Sequence, residues 1–168
     1  MQENTNSSKL FDILQKNGGY ITRRQIDQNG IKSWFLTDFV RKENLEKLAA
    51  GFYAKPDWIT DDFFVFQYKY PKFIFSYESA LYLLNLTDSL PQTFEVTGPK
   101  NYRPFSPKEN IAIIHTDYKK ETYELGIAEV ETNLGNKVLA YNAEKTVCDL
   151  IRRSEKIDSE IYTKALYN

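Results

Sequence analysis

The chain has 168 residues, room for one medium domain or two small ones. With 42% hydrophobic and 27% charged residues its composition is that of an ordinary globular protein, which excludes a disordered chain and a membrane-embedded one. The 22 basic and 23 acidic residues nearly cancel, so no bulk positive charge marks it as a nucleic-acid binder. Splitting the count gives a weak asymmetry: residues 1–60 hold nine Lys/Arg against seven Asp/Glu, and residues 61–168 hold thirteen against sixteen. The polar stretch Met1 to Ser8 has no signal-peptide core, and no apolar run reaches the roughly 20 residues of a membrane span. A single cysteine, Cys148, rules out an intrachain disulfide, and the expected location is the cytoplasm.

In chain order, residues 8–17 read as a helix on the apolar stripe Leu10, Phe11, Ile13 and Leu14, stopped by Gly18-Gly19. Tyr20-Ile21 is extended. Thr22 with Gln25 three residues later has the capping-box pattern for a second short helix, which ends at Asn29-Gly30. A third helix is predicted over 32–43, with Leu36, Phe39 and Val40 on its buried side. Residues 45–48 and 52–55 form a hairpin around Ala49-Ala50-Gly51, closed by Pro56. Beyond it the expected elements are a helix over 60–69, an extended 73–75 and a helix capped by Ser76 and running to Leu84. Strands follow at 93–97, 110–115, 123–131 and 137–141, then a helix over 143–153 capped by Asn142 and a last helix from Asp158. The predicted fold class is therefore α+β: a winged helix-turn-helix over 1–58, then a mixed α/β domain with an antiparallel-rich sheet over 59–168.

Three helices and a hairpin within sixty residues suit DNA, because the third helix enters the major groove while the hairpin lies along the backbone. The polar side of that helix carries Lys32, Ser33, Thr37 and Arg41, with Trp34 near it and Asp38 as a carboxylate that would repel phosphate. Thr22, Arg23 and Arg24 open the second helix, where cations and backbone N–H groups favour phosphate. Lys47 and Lys55 lie on the hairpin. The competing reading of the same unit is a protein-docking module that does not bind DNA.

The second part offers little chemistry. His115, the only histidine, ends an apolar strand and is expected to be structural; Cys148, among apolar neighbours, is expected to be a buried, inert thiol. The pool of ligands is too small for a structural zinc site, and there is neither a phosphate loop nor a nucleophile elbow, so no metal, cofactor or catalytic residue is expected. In helix 143–153, Ala143, Val147, Leu150 and Ile151 are predicted to be buried, with Glu144, Lys145, Asp149, Arg152 and Arg153 as a charged outer face.

The blocks Gly19-Tyr20-Ile21-Thr22-Arg23-Arg24, Gly30-Ile31, Leu36, Phe39-Val40-Arg41-Lys42, Leu45 and Gly51-Phe52-Tyr53 resemble the N-terminal winged helix of AbiEi-type antitoxins. Later blocks continue the resemblance: Phe75 to Tyr82, Leu86-Thr87-Asp88, Pro91, Val96-Thr97-Gly98-Pro99, Leu125-Gly126-Ile127 and Ala143 to Arg152. Asn44 stands where a glycine-like turn residue is common, and Lys145 where Arg is more usual. The chain stops within a helical pattern, where a C-terminal element of the family is expected.

The resemblance implies a transcriptional autorepressor and antitoxin, not an enzyme. The first domain would bind inverted repeats in double-stranded DNA of its own promoter. The second would counter a nucleotidyltransferase toxin of an abortive-infection (phage-defence) system. Such systems are type IV, in which antitoxin and toxin need form no stable complex. The weak net charge, for its part, predicts modest binding by one copy and cooperative occupancy by two, and a monomer off DNA is compatible with the sequence. On the residues themselves, the charged face from Glu144 to Arg153 reads either as a surface for antitoxicity or dimerisation or as the solvated side of an ordinary amphipathic helix.

Overall fold

The computed structural model describes residues 2–105, 111–117 and 119–152, with side chains from residue 6 onward. It is a mixed α and β structure in two compact units, Met1–Thr60 and Asp61–Asn168.

The first unit opens with α1 (Gln2–Lys16), β1 (Tyr20–Thr22), α2 (Arg23–Gln28) and α3 (Ser33–Lys42), and closes with β2 (Glu46–Ala49) and β3 (Phe52–Ala54). Helix α1 starts six residues before the predicted boundary. Its first turns carry no apolar residue, so periodicity does not report them, yet extending a nucleated helix into polar sequence costs little. Leu10 and Leu14, one turn apart, are fully buried against Ile21, Ile26, Ile31, Leu36, Phe39 and Leu45. The three strands form an antiparallel sheet in the order β1-β3-β2, with Ile21 opposite Tyr53 and Lys47 also opposite Tyr53. Tyr20, Phe52 and Trp58 cluster beside this sheet, with ring centroids 5.3 to 5.8 Å apart. Asn44 takes a left-handed backbone (φ 51°), as an Asn in a glycine-like turn does.

The predicted capping box is present. The Thr22 hydroxyl accepts from the Gln25 amide, and the Gln25 side chain accepts in turn from the Thr22 amide at 2.9 Å. Thr22→Ala is expected to destabilise the first unit by about 1 kcal/mol. Both tryptophans, Trp34 and Trp58, lie in this unit, so a lowered midpoint in tryptophan-detected denaturation checks the prediction; an unchanged midpoint would refute it.

The second unit holds α4 (Asp62–Lys69), β4 (Ile74–Phe75), α5 (Tyr77–Leu83), β5 (Phe94–Pro99), β6 (Ala112–Asp117), α6 (Lys120–Glu124), β7 (Ile127–Glu131), β8 (Lys137–Tyr141) and α7 (Ala143–Arg152). Its five-stranded sheet runs β6-β5-β4-β8-β7. The expected antiparallel character holds for β4–β5 and β7–β8, while β4–β8 and β5–β6 are parallel. Phe63, Phe66, Phe73, Phe75 and Val96 pack its core. Asp61, almost wholly buried, caps α4 through the Phe64 amide and accepts from Thr132 and Asn136, tying the helix start to the β7–β8 turn.

Residues 123–126 correct the predicted strand 123–131. Tyr123 and Glu124 belong to α6, and Gly126 turns the chain at φ 77° before β7 begins. Side-chain preference for strands at Tyr123 is overridden by its place in a helix that aims its hydroxyl at the Lys72 carbonyl, 2.7 Å away. Ser76 precedes α5 as expected, but its hydroxyl accepts from Thr97 instead of capping the helix. The helix expected from Asp158 lies outside the described residues. Among the described residues no helix is long and apolar enough to cross a membrane.

Candidate nucleic-acid interface

Helix α3 packs on its unit through Leu36 and Phe39, with Ile31 buried just before it and Val40 half-buried. At 100° per residue the opposite face is then set: Trp34, Thr37, Asp38 and Arg41, spaced i, i+3, i+4 and i+7, all exposed. Lys32 and Ser33 are exposed at the helix start, and Lys42, absent from the predicted contacts, is exposed in its last turn. The surface expected from sequence is therefore solvent-accessible.

Its electrostatics are more mixed than the list of cations suggests. Arg23 is held by Asp27 at 2.9 Å, and Asp38 lies 3.9 Å from Arg41 on the face itself. Among the described residues Arg24, Lys32, Lys42, Lys47 and Lys55 form no ion pair. Both pairings were open to sequence inspection, since Arg23–Asp27 is an i, i+4 spacing and Asp38–Arg41 an i, i+3 spacing.

The backbone brings the start of α2 to the hairpin turn, where the Arg23 amide donates to the Gly51 carbonyl at 2.7 Å. Lys47 is exposed on the outer strand. Lys55 stands apart from this group: its amide donates to Gly19, at the end of β3 away from Gly51. Thr22 is 5% exposed, and its hydroxyl is spent on the capping box, so it shapes the start of α2 and reaches no ligand. The Thr37 hydroxyl turns back toward the Ser33 carbonyl, 3.5 Å away.

The charged face predicted on α7 needs correction. Lys145 and Asp149 are buried, with the ammonium 2.7 and 2.8 Å from the two carboxylate oxygens and 4.9 Å from the centre of the Tyr141 ring. Burial, and then the Asp117, Tyr123 and Asp149 carboxylate and phenol groups, push the Tyr141 phenol far above its usual value, so it stays a donor to the Tyr123 carbonyl. Ala143 and Ile151, predicted to be buried, are exposed; Val147 is half-buried and Leu150 is buried as expected. The helix is rotated because the pair occupies the inner side, next to Gly126, where an added Cβ would meet the Lys145 Cβ at 2.7 Å. Cys148 is exposed, not buried. Glu144 and Arg152 remain on the outside, and Arg153 lies outside the described residues. His115 sits in a structural setting, its Nε2 3.1 Å from Glu95 and its ring 4.3 Å from that of Tyr77.

No protein-family model matches the chain, and no curated protein matches it.

Proposed function

We propose that the chain is a DNA-binding transcriptional autorepressor of the cytoplasm, with residues 1–60 acting as a winged helix-turn-helix and α3 as its recognition helix. The observation that carries this reading is the exposed face Trp34, Thr37, Asp38 and Arg41, flanked by Lys32, Ser33 and Lys42. An α-helix with such a face fits the major groove. Arg24 beside the hairpin turn and Lys47 on the hairpin would hold phosphates on either side. A single unit with a net charge of only +2 grips DNA weakly. Two copies on an inverted repeat raise occupancy through effective concentration, so binding to paired half-sites is cooperative.

The resemblance to AbiEi-type antitoxins extends the proposal to the second unit, which would counter a nucleotidyltransferase toxin in a type IV phage-defence system without a stable complex. With Lys145 and Asp149 buried, its interaction face on α7 becomes Glu144, Cys148, Ile151 and Arg152, spaced i, i+4, i+7 and i+8. The chain acts as a regulator, with no cofactor and no catalysis of its own. A second reading, an antitoxin that docks on protein and not on DNA, is favoured by the acidic partners of Arg23 and Arg41.

Growth assays and DNA binding separate the two. The repressor reading expects selective retardation of the DNA upstream of the gene, and the antitoxin reading expects rescue of cells expressing the adjacent toxin. Rescue without any DNA retardation would leave only the docking reading.

A further inference from the structure

We propose that Trp34 and Thr37 form an apolar reader for the C5-methyl group of thymine in the major groove, so that the preferred sites are set by thymine methyls as much as by hydrogen bonds. This rests on the reading of α3 as a recognition helix. Trp34 is 50% exposed, an unusual place for the largest apolar side chain, yet its ring is not loose: it stacks on Phe35 with centroids 3.5 Å apart and planes 25° apart. Phe35 in turn packs against the core of its unit. The indole is thereby held in place before any ligand arrives, which lowers the entropy cost of binding.

Thr37 lies one turn further along the same face, and its hydroxyl points back to the Ser33 carbonyl. With the hydroxyl engaged there, the methyl of the exposed Thr37 is the group we assign to the apolar contact. The two positions, three apart, are neighbours on the helix surface. Thymine is the one base that presents a methyl in the major groove, and apolar side chains are its matching partners. The exposed carboxylate of Asp38 on the same face disfavours phosphate there and leaves base edges as the better-suited neighbour.

The test compares duplexes of the upstream DNA prepared with thymine or with uracil, which differ only in that methyl. Burying one methyl is worth about a fourfold change in equilibrium constant. The wild-type chain is expected to bind the thymine duplex at least about fourfold more tightly than the uracil duplex. Trp34→Ala and Thr37→Ser should each shrink this ratio, with Thr37→Ser removing only a methyl and keeping the helix intact. Arg24→Ala should weaken both duplexes and preserve the ratio. Equal binding of the two duplexes by the wild-type chain would overturn the methyl reader while the DNA-binding reading stands. Failure to bind either duplex would remove both.

Discussion

Asp149→Ala is expected to destabilise the second unit by about 3–5 kcal/mol, the usual cost of leaving a buried charge without its partner. The side chains of Lys145 and Asp149 are 7% and 9% exposed, and both carboxylate oxygens accept from the one ammonium. Removing the carboxylate strands the Lys145 ammonium over the Tyr141 ring, a contact worth about 1–2 kcal/mol that offsets only part of the loss. Lys145→Ala should cost less than Asp149→Ala, because Asp149 keeps the exposed Arg152 guanidinium at 3.5 Å. Replacing both together, as Lys145→Met with Asp149→Leu, should recover most of the stability, since a buried pair exchanged for apolar groups of similar volume is often neutral. Urea denaturation followed by tyrosine near-ultraviolet circular dichroism reads this out, both tryptophans being in the first unit. A loss under about 0.5 kcal/mol for Asp149→Ala, the range of ordinary surface changes, would show that the pair is solvated.

Removing Arg24, Lys32 and Lys47 together should weaken DNA binding about 100-fold near physiological salt. Each unpaired cation that neutralises one phosphate adds about 0.9 to the log–log salt slope, so the triple alanine variant should flatten that slope by about 2.7. Arg23→Ala should cost less than Arg24→Ala, because Asp27 already holds the Arg23 guanidinium at 2.9 Å. Asp38→Asn should act in the opposite direction and tighten binding, by removing a negative charge from the exposed face and freeing Arg41 from its neighbour 3.9 Å away. Fluorescence anisotropy across a salt series measures all of these. A triple variant with the parental slope would mean that these side chains only solvate the surface.

Apart from the polar first turns of α1, the first unit was readable from sequence because its elements announce themselves locally. Thr22 and Gln25 sit at capping-box spacing, glycines mark the turns, and Leu36, Phe39 and Val40 leave only one side of α3 to pack. The second unit was less so. The parallel pairing β4–β8 joins Phe75 to Ala140, far apart in the chain, and neither it nor the parallel β5–β6 pairing leaves a local signature. Periodicity placed Ala143 and Ile151 inside α7 because it scores Lys145 and Asp149 as polar; it is blind to two opposite charges that satisfy each other and can be buried together. Cys148 followed the same rotation to the outside. At the candidate interface the cations, the i, i+4 and i, i+3 spacing of Arg23–Asp27 and Asp38–Arg41, and the common side of Trp34 and Thr37 were all legible in the sequence; the stacking of Trp34 on Phe35 was not, because neighbouring helix residues do not face each other.

As proposed, the outer face of α3 grips duplex DNA and distinguishes one sequence from another. Anisotropy of the full chain on labelled DNA from upstream of its gene, against an unrelated duplex of equal length, tests it most directly between about 50 and about 200 mM salt. A recognition helix at α3 should give tighter binding to the upstream duplex at every salt concentration and a steep loss of affinity as salt rises. Equal affinity for the two duplexes, or no binding at the lowest salt, would contradict it.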